Sequence, residues 1–519
     1  MSFAPLDYLV IILYFAGVAL IGILAGRREK NTEDYFLAER RIPWWAVTCS
    51  ILATEVSAVT FIGVPGEAFR GNYVYLQFAF GSLLGRILIA FLFLPAFYRG
   101  RVISIYQYLK QRFGENSRLT GAAFFYVTRV LADGVRLLVV SLALQVVTGY
   151  SLEMLIIVVA AVVVIYTLVG GIKAVIWTDV AQFAVFMGGA WVAIYFIMKA
   201  VPGGWAVMKT LVPPVKFKVF DFSFSWVSDK VFLIAFINGC FQTFAALGAD
   251  QDLTQRMLTC RSLKQSQRAL LLTGIIDFPI VLTFLFIGTG LYCFYAILSH
   301  VLPPAISSDP DRIFPHFIMT VLPAGVRGLL IAAVFAAAMS TLASAVNALA
   351  SSAIVDVYKP FIRRNASEGH YLMVSRAAVA FFGVVIVLTA FFLNGIPGGK
   401  LWLGFKVTGF TYGALLGIFL LGVLTRGGND RRNAWAMVSS TVILICLTLA
   451  EKYFLNGYSF TFHSRFVGFS YAFPNLLHGK PLLAWPWYVV VGTAWTYLFG
   501  WLGGLIAATP PRALARHSA

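Results

Sequence analysis

Apolar stretches long enough to cross a lipid bilayer recur along almost the whole chain. Its 519 residues are 60% hydrophobic and only 12% charged, whereas soluble domains carry roughly twice that charged fraction. A run of about 20 apolar residues crosses the hydrocarbon core of a bilayer as one helix. The strands of a transmembrane barrel would instead alternate in polarity over about 10 residues, a pattern that is absent here. The sequence therefore predicts an all-α polytopic membrane protein.

The apolar runs predict about thirteen membrane spans. They cover roughly 6–26, 43–68, 74–98, 120–148, 152–169, 175–199, 229–249, 268–296, 326–354, 372–394, 402–424, 433–453 and 485–508. Basic residues concentrate in alternate loops, as at Arg27, Arg112 and Arg431, so the positive-inside rule predicts an external N-terminus and a cytoplasmic C-terminus. The first run has no small-residue cleavage site, and we expect it to remain as a helix. The long outer loops, about 200–228, 297–325 and 454–484, are expected to form caps or short helices.

The charge and the reactive side chains exclude several classes of protein. The net charge of +18 comes from residues between the spans, which favours contact with anionic lipid over nucleic acid. The five cysteines show no metal-type spacing, so we expect neither disulfides nor a cysteine metal site. The six histidines are scattered and no catalytic set converges, so we predict that the chain is not an enzyme. No obligate protein partner is indicated.

The second predicted span is a poor continuous helix. Glu55, Ser57 and Thr60 are followed by Pro65 between two glycines. Non-helical backbone at membrane depth survives only where protein or a water-filled cavity covers it. Interrupted helices of this kind mark the binding sites of secondary transporters.

The seventh predicted span is also polar, with Asn238, Gln242 and Thr243 among apolar residues. The second and seventh spans each open a run of five, which fits two five-helix repeats of inverted topology. The predicted organisation is a leading helix with a cytoplasmic loop (1–42), a first repeat (43–200), an external loop (201–228), a second repeat (229–425), and two trailing helices with a cytoplasmic tail (426–519).

The ninth predicted span is unusual because it is built mainly of alanine and serine. At about 100° per residue, one face roughly 120° wide collects its polar groups. The polar residues on this face are Ser340, Thr341, Ser344, Asn347 and Ser351, and Ala337 lies on the same face. A dry stripe of hydroxyl and carbonyl oxygens suits a small hard cation. The alternative is a close-packed helix interface, which small residues also form.

Several segments together resemble the sodium/solute symporter family, whose members carry sugars, sialic acid, proline, iodide, vitamins and monocarboxylates. The matching segments are 34–38 with 42–45, 57–63, 170–179 with Gln182, 250–256, 337–344 with 356–358, and 412–422. They cover nearly the whole chain in the family's order. The resemblance implies the leucine-transporter-type fold, a 5+5 inverted repeat with one leading helix and two trailing helices.

The resemblance also implies a sodium site between the broken helix and the ninth span. Its ligands would be the carbonyls of Ala53, Val56 and Ala337 with the hydroxyls of Ser340 and Thr341. We interpret the Asn347 amide and the Ser351 hydroxyl, further along the same face, as packing groups.

Some relatives hold a second sodium ion, and here Asp179 and Ser344, with Thr341, match its ligands. Ala343 stands where such relatives have another hydroxyl, which counts against this second ion. In the alternative, Asp179 pairs with Lys173 or Arg256.

The substrate pocket implied by the resemblance lies at mid-membrane beside the broken helix. Its candidate residues are Glu55, Ser57, Thr60, Tyr73, Gln77, Asn238, Phe241 and Arg136. The alternative for each aromatic ring is packing against core or lipid. A carboxylate at this depth needs a partner or a proton, and Glu55 has Arg86, Arg129 and Arg136 as possible partners. Arg129, Asp133 and Arg136 form an internal ion-pair ladder, or one arginine binds a substrate carboxylate.

These observations predict a Na⁺-coupled symporter in the cell membrane that works by alternating access. We expect it to import a small polar organic solute, a sugar or a sialic-acid-like molecule, with one Na⁺ and with a second left open. A monocarboxylate or other small anion is the alternative substrate. A channel or a non-transporting sensor is the alternative of another class.

Overall fold

The computed structural model describes residues 4–26, 31–226, 228, 230–298, 302–303, 310–395, 400–450, 459–463, 468–472 and 483–506. Helices dominate these residues, as the apolar runs predict. The first half contains α1 (Pro5–Gly26), α2 (Thr32–Leu37), α3 (Trp44–Glu55), α4 (Ala58–Arg70), α5 (Tyr73–Gly100), α6 (Tyr106–Arg112), α7 (Glu115–Thr148), α8 (Leu152–Ala200) and α9 (Gly204–Leu211).

The second half continues with longer helices and one small sheet. It contains α10 (Phe232–Gly248), α11 (Gln251–Leu258), α12 (Leu263–Ile297), α13 (Ile313–Val321), α14 (Val326–Ile362), α15 (Glu368–Asn394), α16 (Lys400–Leu424), α17 (Asp430–Ala450), β1 (Ser459–His463), β2 (Gly468–Ala472) and α18 (Trp487–Ile506). Strands β1 and β2 pair antiparallel, with Ser459 opposite Ala472.

Within the described residues, seven helices are long and apolar enough to cross a membrane, and two bent pairs bring the number to nine. The pairs are α3 with α4, bent by 56°, and α10 with α11, bent by 63°. Each predicted span falls on one of the helices above, except the second, 43–68, which covers α3 and α4. The predicted spans 152–169 and 175–199 are two halves of α8, which kinks at Gly171 where φ is 50° and ψ is −154°. Glycine tolerates this left-handed backbone because it has no Cβ.

The outer loops were expected to form caps or short helices. The first two contain the short helices α9 and α13. The described part of the third loop forms the β1–β2 hairpin instead of a helix. Its sequence alternates aromatic and polar side chains from Ser459 to His463, a period of two that suits a strand rather than a helix.

Helix α14 lies at the centre of the helical bundle. In its most apolar stretch 89% of residues are buried, and it packs against α8, α7 and α1. Small residues make this possible, since a Cβ added to Gly189 of α8 would lie 2.9 Å from the Cβ of Ala333. Membrane helices without bulky side chains can approach in this way.

Helices α5 and α10 approach each other even more closely. A Cβ added at Gly81 would lie 1.9 Å from the carbonyl oxygen of Phe236, and one at Gly239 would lie 2.3 Å from that of Phe78. No side chain fits at either position. This backbone contact fixes the two helices that flank the broken helix on the cavity side.

Candidate functional site

The break between α3 and α4 releases two backbone carbonyls. The N–H of Ser57 donates to the Glu55 carbonyl and that of Thr60 donates to the Ser57 carbonyl, both at 2.9 Å. A continuous helix would bring these donors to the carbonyls of Ala53 and Val56. Both residues are buried, with 0% and 2% exposure. A buried carbonyl oxygen without a hydrogen-bond donor costs free energy, and a bound cation would remove this cost.

The small-residue stripe of α14 contacts the end of α3. The Thr341 hydroxyl donates to the carbonyls of Thr54 and Ala337, each at 3.2 Å, and the Thr54 and Ser340 hydroxyl oxygens lie 3.3 Å apart. Ser340 and Thr341 are 0% and 1% exposed. Ser340 and Thr341 therefore contact Thr54, which lies between Ala53 and Val56 along the chain. An oxygen-rich, dry setting of this type suits a small hard cation.

Asp179 lies beside this contact and is held by a buried arginine. Its Oδ2 accepts from the Ser50 hydroxyl at 2.5 Å and from the Arg256 guanidinium at 3.0 Å, while its Oδ1 accepts from Ser340 at 2.6 Å. The same guanidinium donates to the Ser344 hydroxyl at 2.5 Å. Of the two partners proposed for Asp179, the structure shows Arg256.

Lys173, the other proposed partner of Asp179, pairs with Asp34. The two candidate ligands of a second sodium ion, Asp179 and Ser344, are thus bridged by a guanidinium. Ala343 beside them is fully buried and offers no side-chain oxygen.

The predicted ladder on α7 forms part of a larger buried network. Asp133 lies 2.7 Å from Arg136 and 3.8 Å from Arg129. Arg129 also lies 2.6 Å from Asp250 and 2.9 Å from Asp252. Charged side chains that are buried away from water are stable only when oppositely charged partners offset the cost of desolvation. Sequence reasoning missed Asp250 and Asp252, although their motif was noted, because both follow a span and looked like loop residues.

A cavity of about 190 Å³ opens on the other side of the broken helix. Pockets for drug-sized ligands span about 300–1,000 Å³, so this one suits a smaller solute. Its walls come from the broken helix and from α5, α7, α10, α11, α12 and α16. Of the candidate substrate residues, those lining it are Glu55, Ser57, Thr60 and Arg136.

The other four candidates, Tyr73, Gln77, Asn238 and Phe241, do not line the cavity. Gln77 accepts from the N–H of Asp221 at 2.9 Å and donates to the carbonyl of Lys230 at 3.0 Å, so it anchors the outer loop. The Tyr73 hydroxyl accepts from Thr289 at 3.2 Å. Helix α5 instead presents Tyr75 and Phe78 to the cavity.

Glu55 pairs with Arg86, one of the three arginines considered for it. Both carboxylate oxygens lie 2.8 Å from the same terminal nitrogen of Arg86. Asp277 lines the same cavity with one oxygen 3.9 Å from that nitrogen. Sequence reasoning did not single out Asp277, and it noted the cavity-facing Gln242 as a polar residue of its span but not as a candidate for the substrate pocket. An acid within an apolar span was the available signal for Asp277, since intramembrane ionisable residues are functional by default.

The family model described as Sodium:solute symporter family matches residues 35–440. The sodium/sialic acid symporter of Proteus mirabilis is 29% identical over 455 residues, which are 87% of this chain and 90% of that protein. The human sodium-coupled monocarboxylate transporter 1 is 30% identical over 438 residues, which are 83% of this chain and 71% of that protein.

A solved structure of a Na⁺-coupled sialic acid symporter, in a substrate-bound outward-open state, aligns with 98% of this chain, and the alignment covers 99% of the chain in that structure. The two sequences are 26% identical, and the TM-score is 0.84. This similarity confirms the leucine-transporter-type fold expected from the sequence.

Proposed function

The chain belongs to the Sodium:solute symporter family, and from this premise we propose that it imports a small polar organic solute together with Na⁺ by alternating access. It is a membrane transporter rather than an enzyme. The observation that carries the proposal is the break in α3, which leaves the carbonyls of Ala53 and Val56 without helical donors next to Ser340 and Thr341. A closed helix interface would have no reason to release two buried carbonyls there.

The broken helix links the ion to the solute. The end of α3 contacts α14 through Thr54, while Glu55, Val56, Ser57 and Thr60 line the cavity. Sodium bound at Ala53, Val56, Ala337, Ser340 and Thr341 would hold α3 against α14 and so fix the cavity wall for the solute. Because the two ligands act on one element, each raises the affinity for the other by the same factor.

One Na⁺ per cycle is the stoichiometry that the contacts support. Arg256 already places a positive charge between Asp179 and Ser344. A second sodium ion would have to displace this guanidinium from a fully buried carboxylate, which is costly.

The cavity supports a polar, hydroxylated solute of the sugar or sialic-acid class. Hydroxyl and amide groups of Ser57, Thr60, Gln242 and Thr408 lie on its walls, and such groups fix the orientation of a ligand that has several hydrogen-bonding positions. Arg136 also lines the cavity and lies 2.7 Å from Asp133 through only one of its terminal nitrogens. Its other nitrogens supply a site for a carboxylate.

Uptake into proteoliposomes tests the proposal. We expect a radiolabelled sialic acid or sugar from a screened panel to accumulate above its external concentration under an inward Na⁺ gradient, and not under an equal K⁺ gradient. A channel would let the solute equilibrate without accumulation, and a sensor would bind it without uptake. Either result would contradict the proposal.

A further inference from the structure

The acidic side chains of the cavity outnumber the cation that they share. Glu55 and Asp277 both face Arg86, whose three guanidinium nitrogens already contact other groups. Its Nε donates to Thr273 at 3.1 Å, one terminal nitrogen donates to Ser82, and the other donates to both oxygens of Glu55. Asp277 lies 3.9 Å from the last nitrogen, beyond hydrogen-bond distance. With both acids ionised, the cluster therefore has one negative charge in excess.

Asp277 carries that excess charge at the cavity wall. It accepts no hydrogen bond from any group in the described part of the chain, and its side chain is 17% exposed. A carboxylate held in a mostly apolar setting without a donor is costly. A solute that brings a positively charged donor would remove this cost.

A second acceptor lies in the same cavity. Gln242 is only 5% exposed, and its Nε2 donates to the Thr408 hydroxyl at 2.8 Å. Its Oε1 has no hydrogen-bond partner among the described residues. A buried amide oxygen without a donor is rare in folded proteins, so this oxygen indicates a ligand that donates a hydrogen bond.

Two aromatic rings also line this cavity. Tyr75 and Phe78 both line it, and their rings are nearly parallel, with an interplanar angle of 10° and centroids 6.2 Å apart. Aromatic faces attract cations through their quadrupole. Carboxylate, amide oxygen and ring faces all favour the same ligand group, a protonated amine.

We propose that the transported solute carries a protonated amine, received by Asp277 and Gln242, in addition to a carboxylate that binds Arg136. The substrate class is thus a zwitterionic polar solute such as an amino-sugar acid. This inference rests on the proposed function, since it concerns the same cavity. It restricts the candidate solutes to those that carry both a positive and a negative charge. A neutral acetamide in place of the amine would leave Asp277 with only the shared Arg86, 3.9 Å away, as a counter-charge.

Two sugar acids that differ at one position provide the test. D-Glucosaminate has an amine where D-gluconate has a hydroxyl, and the remaining groups are equal. Their affinities are measured by isothermal titration calorimetry on the purified full chain in Na⁺, for the wild type and for Asp277→Asn. We expect the wild type to bind D-glucosaminate at least about 30-fold more tightly than D-gluconate, because a buried charge pair discriminates by that factor.

The Asp277→Asn variant keeps the shape of the side chain and removes its charge. It should lose the preference for the amine while it still binds D-gluconate and still shows a Na⁺-dependent increase in Tm, which reports that it is folded. Equal affinity of the wild type for both probes, binding of neither, or an unchanged preference in Asp277→Asn would overturn the inference. If Na⁺ fails to raise the Tm or to drive uptake of any solute, the proposed function itself fails.

Discussion

Helix α14 carries two positions for a cation, one helical turn apart, and they differ in what faces them. At the first, Thr341 and Ser340 face the broken end of α3, whose backbone supplies carbonyl oxygens. At the second, Ser344 faces α11, which supplies the guanidinium of Arg256. The same stripe of small side chains thus borders a site suited to an exchangeable ion and a site filled by a fixed charge.

The difference bears on energy coupling. An ion drives transport only if its affinity differs between the two conformations and it can leave on the far side. Arg256 is covalently part of the chain, so it can hold α11 against α14 but cannot carry charge across the membrane. We therefore propose that the Na⁺ gradient acts at the first position, whereas Arg256 at the second holds α11 against α14.

Thr341→Ala is expected to have the largest effect on transport. It removes one of five oxygens from the proposed sodium site, and contacts to a charged group are worth about 1.5–3 kcal/mol each. We expect the Na⁺ concentration for half-maximal uptake to rise about 10- to 100-fold, so that uptake at ordinary Na⁺ concentrations is lost. The measurement is the initial rate of uptake as a function of Na⁺ concentration.

Ser351→Ala is the matched control for this variant. Ser351 lies on the same helix, is also fully buried, and has no hydrogen-bond partner among the described residues. Its loss should leave the Na⁺ dependence unchanged. Equal Na⁺ dependence of Thr341→Ala and the wild type would contradict the assignment of the first position.

Arg256→Ala is expected to have the largest effect on stability. It leaves Asp179 buried without its cation, and breaking a buried pair costs about 3–5 kcal/mol. The Tm of the purified variant should therefore fall in Na⁺-free buffer. Because the vacated position keeps oxygens from Asp179, Ser340 and Ser344, Na⁺ should raise the Tm of the variant by more than it raises that of the wild type.

A double variant separates ion binding from general rescue by salt. Arg256→Ala with Asp179→Asn removes the carboxylate as well, so the additional Na⁺-dependent gain in Tm should disappear. Choline at the same ionic strength should not replace Na⁺ in the single variant. If the single variant gains no more from Na⁺ than the wild type does, then the guanidinium does not stand at a cation position.

Only part of the contrast between the two positions could be predicted from the sequence. The broken helix and the stripe could be predicted because each is a local pattern: glycine and proline after polar residues, and small side chains with helical period. The choice between Lys173 and Arg256 as partner of Asp179 could not be made, because it depends on how α8 and α11 approach in space.

The residues that line the cavity could likewise be predicted only in part from the sequence. Tyr73 and Gln77 stand four residues apart, a spacing that would place them on one face of an α-helix. Tyr73–Leu76 is instead a 3₁₀ turn that begins after Asn72, whose side chain accepts from the N–H of Val74 at 3.1 Å. A 3₁₀ turn advances about 120° per residue rather than about 100°, so a different face of α5 turns towards the cavity. The pairing of Arg86 with Glu55 requires contacts between distant spans, which periodicity does not encode.

Ala343→Ser is expected to have the smallest effect, and it is the most direct test of the contrast. The substitution supplies the hydroxyl that the second position lacks, and on a helix this hydroxyl can also bond to the carbonyl four residues earlier. Because the guanidinium of Arg256 already lies between Asp179 and Ser344, the extra oxygen should not create an ion site. The Hill coefficient for Na⁺-driven uptake should stay at about 1 in this variant. A Hill coefficient that rises towards 2 would show that a sodium ion can displace the guanidinium, and the two positions would then differ in affinity rather than in kind.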